Sequence, residues 1–200
     1  MSLAAACAFA GAQTDSKLIE PGKRLGKLNI GDLMDDLKWL KKPDYGDAGM
    51  SHSWQTWEAK KPDPRNGKIL NSLDVYVSIN EAGKSAIRLI RSTSPTFATK
   101  TKVKVGVSYT EVRQKYPGMV KLSSYASAQF SSRVAVYDDS AAGIGFEFKA
   151  AKDGSVNAKD KCVAVWVHEP KMNLLQESYP PIQYLIAKPG IRDAVKHEKG

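Results

Sequence analysis

Apolar residues recur at every second position in several short stretches of this 200-residue chain, and at helical spacing in two others. After a turn at Glu20-Pro-Gly-Lys-Arg24, residues 25–30 alternate briefly. Leu33, Met34, Leu37 and Leu40 then fall on one helical face. Asp32 is placed to cap that helix, Asp35 and Asp36 lie in its first turn, and Lys38, Lys41 and Lys42 lie at its end before Pro43 stops it. A Gly-rich loop is expected over 44–50, and a strand over 53–58. Residues 73–79 alternate strictly, with Leu73, Val75, Val77 and Ile79 on one face, and a further strand covers 85–90. The order then recurs. Residues 103–105 lead to Gly106, and Ser108 with Glu111 forms a capping box for a helix burying Val112 and Tyr116 before Pro117-Gly118. Three strands follow over 133–137, 144–148 and 161–167.

The recurrence has a fixed offset. Shifting residues 28–37 by 75 positions onto 103–112 pairs Gly31 with Gly106, Ile30 with Val105, Asp36 with Glu111 and Leu37 with Val112, and sets Pro95 on Pro170. The fold class expected is α+β: two tandem modules, each a helix packed on a three- to four-stranded antiparallel sheet. The boundaries are 1–12 for the remnant of a signal peptide, 13–95 and 96–170 for the repeats, and 171–200 for a C-terminal extension. Modules of this size bury a low fraction of their surface alone, so the two should share an interface.

Composition adds a surface property. With 42% apolar and 26% charged residues the chain reads as globular, and no apolar run is long enough to cross a membrane. The net charge of +9 is spread along the sequence without a block of five or six consecutive basic residues. It predicts a diffuse basic surface attracted to anionic envelope polymers or lipid headgroups, with no specific nucleic acid as partner. The N-terminus, Ser2 to Ala12, is small and apolar, and Ala10-Gly-Ala12 fits a signal-peptidase site with a mature chain from Gln13. The localisation expected is extracytoplasmic, periplasmic or secreted, with a lipid anchor on Cys7 as the alternative. Cleavage leaves Cys162 as the sole cysteine, at the head of an apolar run where a thiol acts as a small hydrophobe.

The stretch Val103-Lys-Val-Gly-Val-Ser-Tyr-Thr-Glu-Val-Arg-Gln-Lys-Tyr-Pro117 resembles small bacterial envelope modules that open with a strand, a Gly turn, Ser/Thr-x-x-Glu-Val and a helix. These include the beta-lactamase-inhibitor-protein-like repeats and the small outer-membrane assembly lipoproteins. The first copy departs from the pattern, with Asp32 in place of the Ser/Thr-x-x-Glu cap. The resemblance implies binding to a protein or to envelope material rather than catalysis, although a scaffold does not fix a function.

Catalytic chemistry finds little support. His52, His168 and His197 lack metal-ligand spacing, Gly-x-Ser-x-Gly is absent, and Gly143-Ile-Gly145 lacks the third glycine of a dinucleotide loop. His168-Glu169 reads as an exposed polar pair, and Asp138-Asp139 as part of a turn rather than a calcium loop. No metal and no cofactor are expected. The binding candidates are aromatic. Trp54 and Trp57 lie three apart, so on a strand they point to opposite faces and one should be exposed, rimmed by His52; Tyr137 could join the patch. The function expected is an exported bacterial protein that binds another macromolecule, a protein or a cell-envelope component, through sheet-face aromatics without catalysis. The alternative is an envelope hydrolase with its site between the modules.

Overall fold

The computed structural model describes residues 15–49, 51–59, 71–127, 129–172 and 174. The expected leader with its cut after Ala12, the Cys7 anchor, the loop 60–67, and the extension beyond residue 174 with His197 lie outside the described residues. The elements run β1 (Leu18–Glu20), β2 (Arg24–Leu25), β3 (Leu28–Asn29), a 3₁₀ turn (Met34–Asp36), β4 (Tyr45–Gly49), β5 (His52–Glu58), β6 (Ser72–Ile79), β7 (Ser85–Ser92) and β8 (Ala98–Thr99). Then follow α1 (Tyr109–Lys115), β9 (Val120–Ser127), β10 (Ser132–Asp139), β11 (Ile144–Ala150) and β12 (Cys162–His168).

These elements correct the expected fold class. The protein is mainly β, with one eight-stranded sheet in the order β4-β5-β6-β7-β12-β11-β10-β9 and a small sheet in the order β3-β2-β1-β8. Two tandem helix-on-sheet modules do not form. Among the described residues α1 is the one α-helix, and the helix expected after Asp32 is reduced to the 3₁₀ turn. Capping chemistry explains the difference. Ser108 and Glu111 close a reciprocal capping box at the start of α1. Asp32 instead turns its carboxylate back to accept from the Asn29 backbone N–H at 2.8 Å. Its carbonyl is engaged by Ile87 N–H at 2.9 Å, and Leu33 at the head of the turn offers no capping side chain.

The 75-residue offset is visible in the hydrogen bonds. Gly31 N–H donates to Ile87 O, and Gly106 N–H to Cys162 O, both at 2.8 Å. Each glycine has a positive φ, 90° and 95°, a region that L side chains avoid. β4–β7 and β9–β12 are each an antiparallel meander, and the last strands of the two, β7 and β12, pair antiparallel at the centre of the large sheet.

Burial on both faces of this sheet makes the core. One face carries Val75, Val77, Ile87, Ile90, Phe146, Phe148 and Val165 under α1, the 3₁₀ turn and the small sheet. The other carries Trp54, Tyr76, Leu89, Val134, Val136 and Trp166, with Met172 and Leu174 packed on it. The sheet is strongly curved. Gln129, in the β9–β10 turn, donates its amide to Ser72 Oγ on β6 at 3.3 Å. On a flat sheet β6 and β10 would stand roughly 19 Å apart, four strand spacings.

Candidate functional site

The residues that sequence singled out do not assemble into one patch. Trp54 and Trp57 do face opposite sides of β5, yet neither is a solvent-exposed anchor. Trp54 is only 4% exposed, packed among Tyr76 and Trp166 with ring centroids 6.2 and 6.4 Å away. Trp57 is half-buried, and its indole N–H donates to Lys41 O at 2.7 Å. His52 stacks on Tyr76 with centroids 5.7 Å apart, its Nδ1 hydrogen-bonded to the phenol at 2.8 Å. It borders an open groove of about 490 Å³ that includes Ser51, Ser53, Gln55 and Ile79. Tyr137 lies far from this groove in the sheet order, on the α1 side, against Tyr109 and Phe148.

The densest polar cluster was not anticipated. On the concave face, opposite α1, Arg91 of β7 is buried between two carboxylates. It donates to Glu147 of β11 through Nε at 2.6 Å and Nη2 at 2.8 Å, and to Asp74 of β6 through Nη1 at 2.5 Å. Glu147 also accepts from Trp166 Nε1 at 2.7 Å and from the Tyr125 hydroxyl at 3.0 Å; Asp74 accepts from Thr56 Oγ1 at 2.7 Å. Burial, with Glu147 adjacent, pushes the Tyr125 hydroxyl far above its usual range. Each carboxylate is surrounded by donors, the arrangement that a buried charge needs. The guanidinium also sits 5.8 Å from the Trp166 ring centre. Every member is sealed from solvent, so this network serves packing and strand choice.

His168 departs from its expected exposure. It is 0% exposed, with Nε2 2.8 Å from Asp138 Oδ1 and Nδ1 2.9 Å from Glu169 O. The bond to a carbonyl fixes the proton on Nδ1. Glu169 remains outside and pairs with Arg88 at 2.8 Å. The dyad has no open face toward a substrate. Cys162 is buried, its thiol donating to Ala164 O at 3.2 Å, and burial pushes its pKa up, which leaves the sulfur inert. Among the described residues no group of His, Cys, Asp or Glu is arranged to hold a metal ion.

Chemistry open to solvent concentrates around the small sheet. β1 pairs with β8, Leu18 opposite Ala98 and Ile19 opposite Thr99, which joins segments about 80 residues apart in sequence. Residues 15–29 and 97–104 together hold seven basic side chains against two acidic ones. Lys17, Lys23, Lys27, Lys100, Lys102 and Lys104 are all exposed, while Arg24 is buried on Glu20 at 2.9 Å. Six exposed lysines thus come from the two segments that this pairing joins, and other exposed lysines, such as Lys84, Lys121 and Lys149, lie elsewhere on the surface. At the rim of the six-lysine face stands Trp39, 55% exposed, with the Lys27 ammonium 6.0 Å from the ring centroid. Sequence reading passed over Trp39 as part of a helix; the signal available was its place between Lys38 and Lys41-Lys42.

No family model matches this chain, and no curated protein matches it. Among solved structures it is similar to the uncharacterized protein yfeY from Escherichia coli, at 10% identity and a TM-score of 0.33, over 58% of this chain and 81% of that one. A likeness this slight carries no functional argument. No helix among the described residues is long and apolar enough to cross a membrane.

Proposed function

We propose that this chain is an exported bacterial protein that binds an anionic surface of the cell envelope through its small sheet, without chemistry of its own. The observation that supports the reading is the convergence of six exposed lysines by the β1–β8 pairing, with the indole of Trp39 at the rim. A lysine near an anionic bilayer contributes about 1 kcal/mol, and tryptophan favours the interface between headgroups and acyl chains. The buried aromatics Trp54 and Tyr76 belong to the core on the other face of the large sheet, away from the small sheet.

The test is co-sedimentation of the purified protein with vesicles of phosphatidylglycerol or of phosphatidylcholine, over a range of salt. Binding to the anionic vesicles alone, lost as salt rises and weakened by Trp39→Ala, is the expected result. Equal binding to both vesicles, or retention of duplex DNA at a salt concentration that releases the vesicles, overturns it.

A further inference from the structure

Within the same basic face lies a cleft that the partner reading does not require. It measures about 320 Å³, at the lower end of small-ligand sites, and Glu20, Lys23, Thr99, Lys100, Thr101 and Tyr116 line it. Its floor is a group of hydroxyls. Thr99 Oγ1 is buried, accepts from Val103 N–H at 3.0 Å and lies 2.9 Å from Thr101 Oγ1. The Tyr116 side chain lines the cleft beside them. Lys23 and Lys100, both exposed, line it as well. Glu20 is held below its ordinary range first by the hydrogen bond from Arg24, and then by the charges of Arg24, Lys100 and Lys23. Both lysines thus act on one point beside the cleft. Arg24 already neutralises the Glu20 carboxylate, which leaves the two lysine charges in excess.

We infer that this cleft is a phosphate-binding site. A cation is repelled by Lys23 and Lys100, and an apolar group gains nothing from two ammonium groups and the exposed Thr101 hydroxyl. A carboxylate offers two oxygens in one plane. A phosphate group offers three or four in a tetrahedron, able to reach hydroxyls on one side and ammonium groups on the other, and lysine serves such groups as a point charge. The phosphate can belong to a lipid headgroup or to a free phosphoester. The inference rests on the anionic-partner reading of this face but names its chemistry.

The experiment is ¹H–¹⁵N NMR of the protein titrated with inorganic phosphate, against chloride and acetate at matched ionic strength. Saturable shifts confined to the amides of Glu20, Lys23 and residues 99–102, at least tenfold weaker in Lys100→Ala and unchanged in Lys149→Ala, are expected. Shifts spread over lysines throughout the surface, equal shifts with acetate, or equal loss in Lys149→Ala overturn the site. Phosphate then competes, or does not, against phosphatidic acid vesicles: displacement assigns the site to headgroups, its absence to soluble phosphoesters, and either outcome supports phosphate recognition. Trp39→Ala separates the two readings. It weakens vesicle binding and leaves the phosphate shifts intact, so either reading can fail while the other stands.

Discussion

Arg91→Met removes the one cation that faces two buried carboxylates, Asp74 and Glu147, both 0% exposed. Three charge-assisted hydrogen bonds are lost, each worth roughly 1.5–3 kcal/mol net. Their sum overstates the effect because the bonds share one group. Removing one partner of a buried ion pair typically costs about 3–5 kcal/mol, and here a second carboxylate is orphaned as well. The upper part of that range, about 5 kcal/mol, is the expected loss. For a chain of this size it lowers the thermal midpoint by roughly 10–20 °C. Urea unfolding followed by tryptophan fluorescence reads it, because the indole of Trp166 is hydrogen-bonded to Glu147 at 2.7 Å. Glu147→Gln alone and the double variant complete a cycle, whose coupling energy should exceed about 2 kcal/mol. A loss below about 1 kcal/mol for Arg91→Met, with the unfolding slope unchanged, would refute the reasoning. Water would then reach the network, and the concave face would become a candidate site again.

Trp54→Ala should cost about 3–5 kcal/mol, as a large core side chain does, whereas Trp39→Ala should leave the urea midpoint within about 0.5 kcal/mol of the parent's while weakening binding to anionic vesicles. Gly143→Ala should destabilise clearly by thermal melting, since φ is +71° and a Cβ would stand 2.5 Å from His168 O and 2.7 Å from Gly22 Cα. Burial first, and then Tyr109 nearby, push the Tyr137 hydroxyl up to about 12. The folded protein therefore holds that proton more tightly than the unfolded chain: the stabilisation is full below about pH 10, the ordinary tyrosine value, and is lost as pH rises toward 12. Tyr137→Phe should flatten that alkaline decline, read by melts at stepped pH. With Cys7 replaced by serine, Cys162 should react with a thiol reagent only on unfolding; prompt reaction in buffer would contradict its burial.

Strict period-two alternation located β6, and short apolar or aromatic runs between turns located β5, β7, β10, β11 and β12 to within a few residues, because each packs on a large apolar core. These signals missed β4 and β9 for opposite reasons. β4 is Tyr-Gly-Asp-Ala-Gly, with too few apolar side chains to show a period, and is held by pairing with β5. β9 is an edge strand whose exposed Val120 and polar Lys121, Ser123 and Ser124 give no alternation. The capping box announced α1, and its absence near Asp32 was the available warning against the first helix. The surface site was harder to see. Its lysines come from two segments that β1–β8 pairing brings together, and tertiary pairing between two- and three-residue strands leaves no local pattern. His168 and Asp138 were misjudged for the same reason, since each finds its partner across the sheet.

The central seam also settles what the chain refuses to pair with. Arg91 sits opposite Trp166 where β7 meets β12, and these two residues are themselves 75 positions apart. The pairing therefore turns about its own midpoint: β12 occupies the place that a second β7 would take. A β7 edge from another molecule, docked in that register, would set guanidinium against guanidinium with Glu147 missing from the far side. Two β12 edges would crowd indole on indole and leave the Glu147 carboxylates without a cation. A half that has formed its meander but not yet met its own partner is thus a poor template for strand exchange. The strands carry on their central pair a lock that admits the other half of the same chain and turns away copies of themselves.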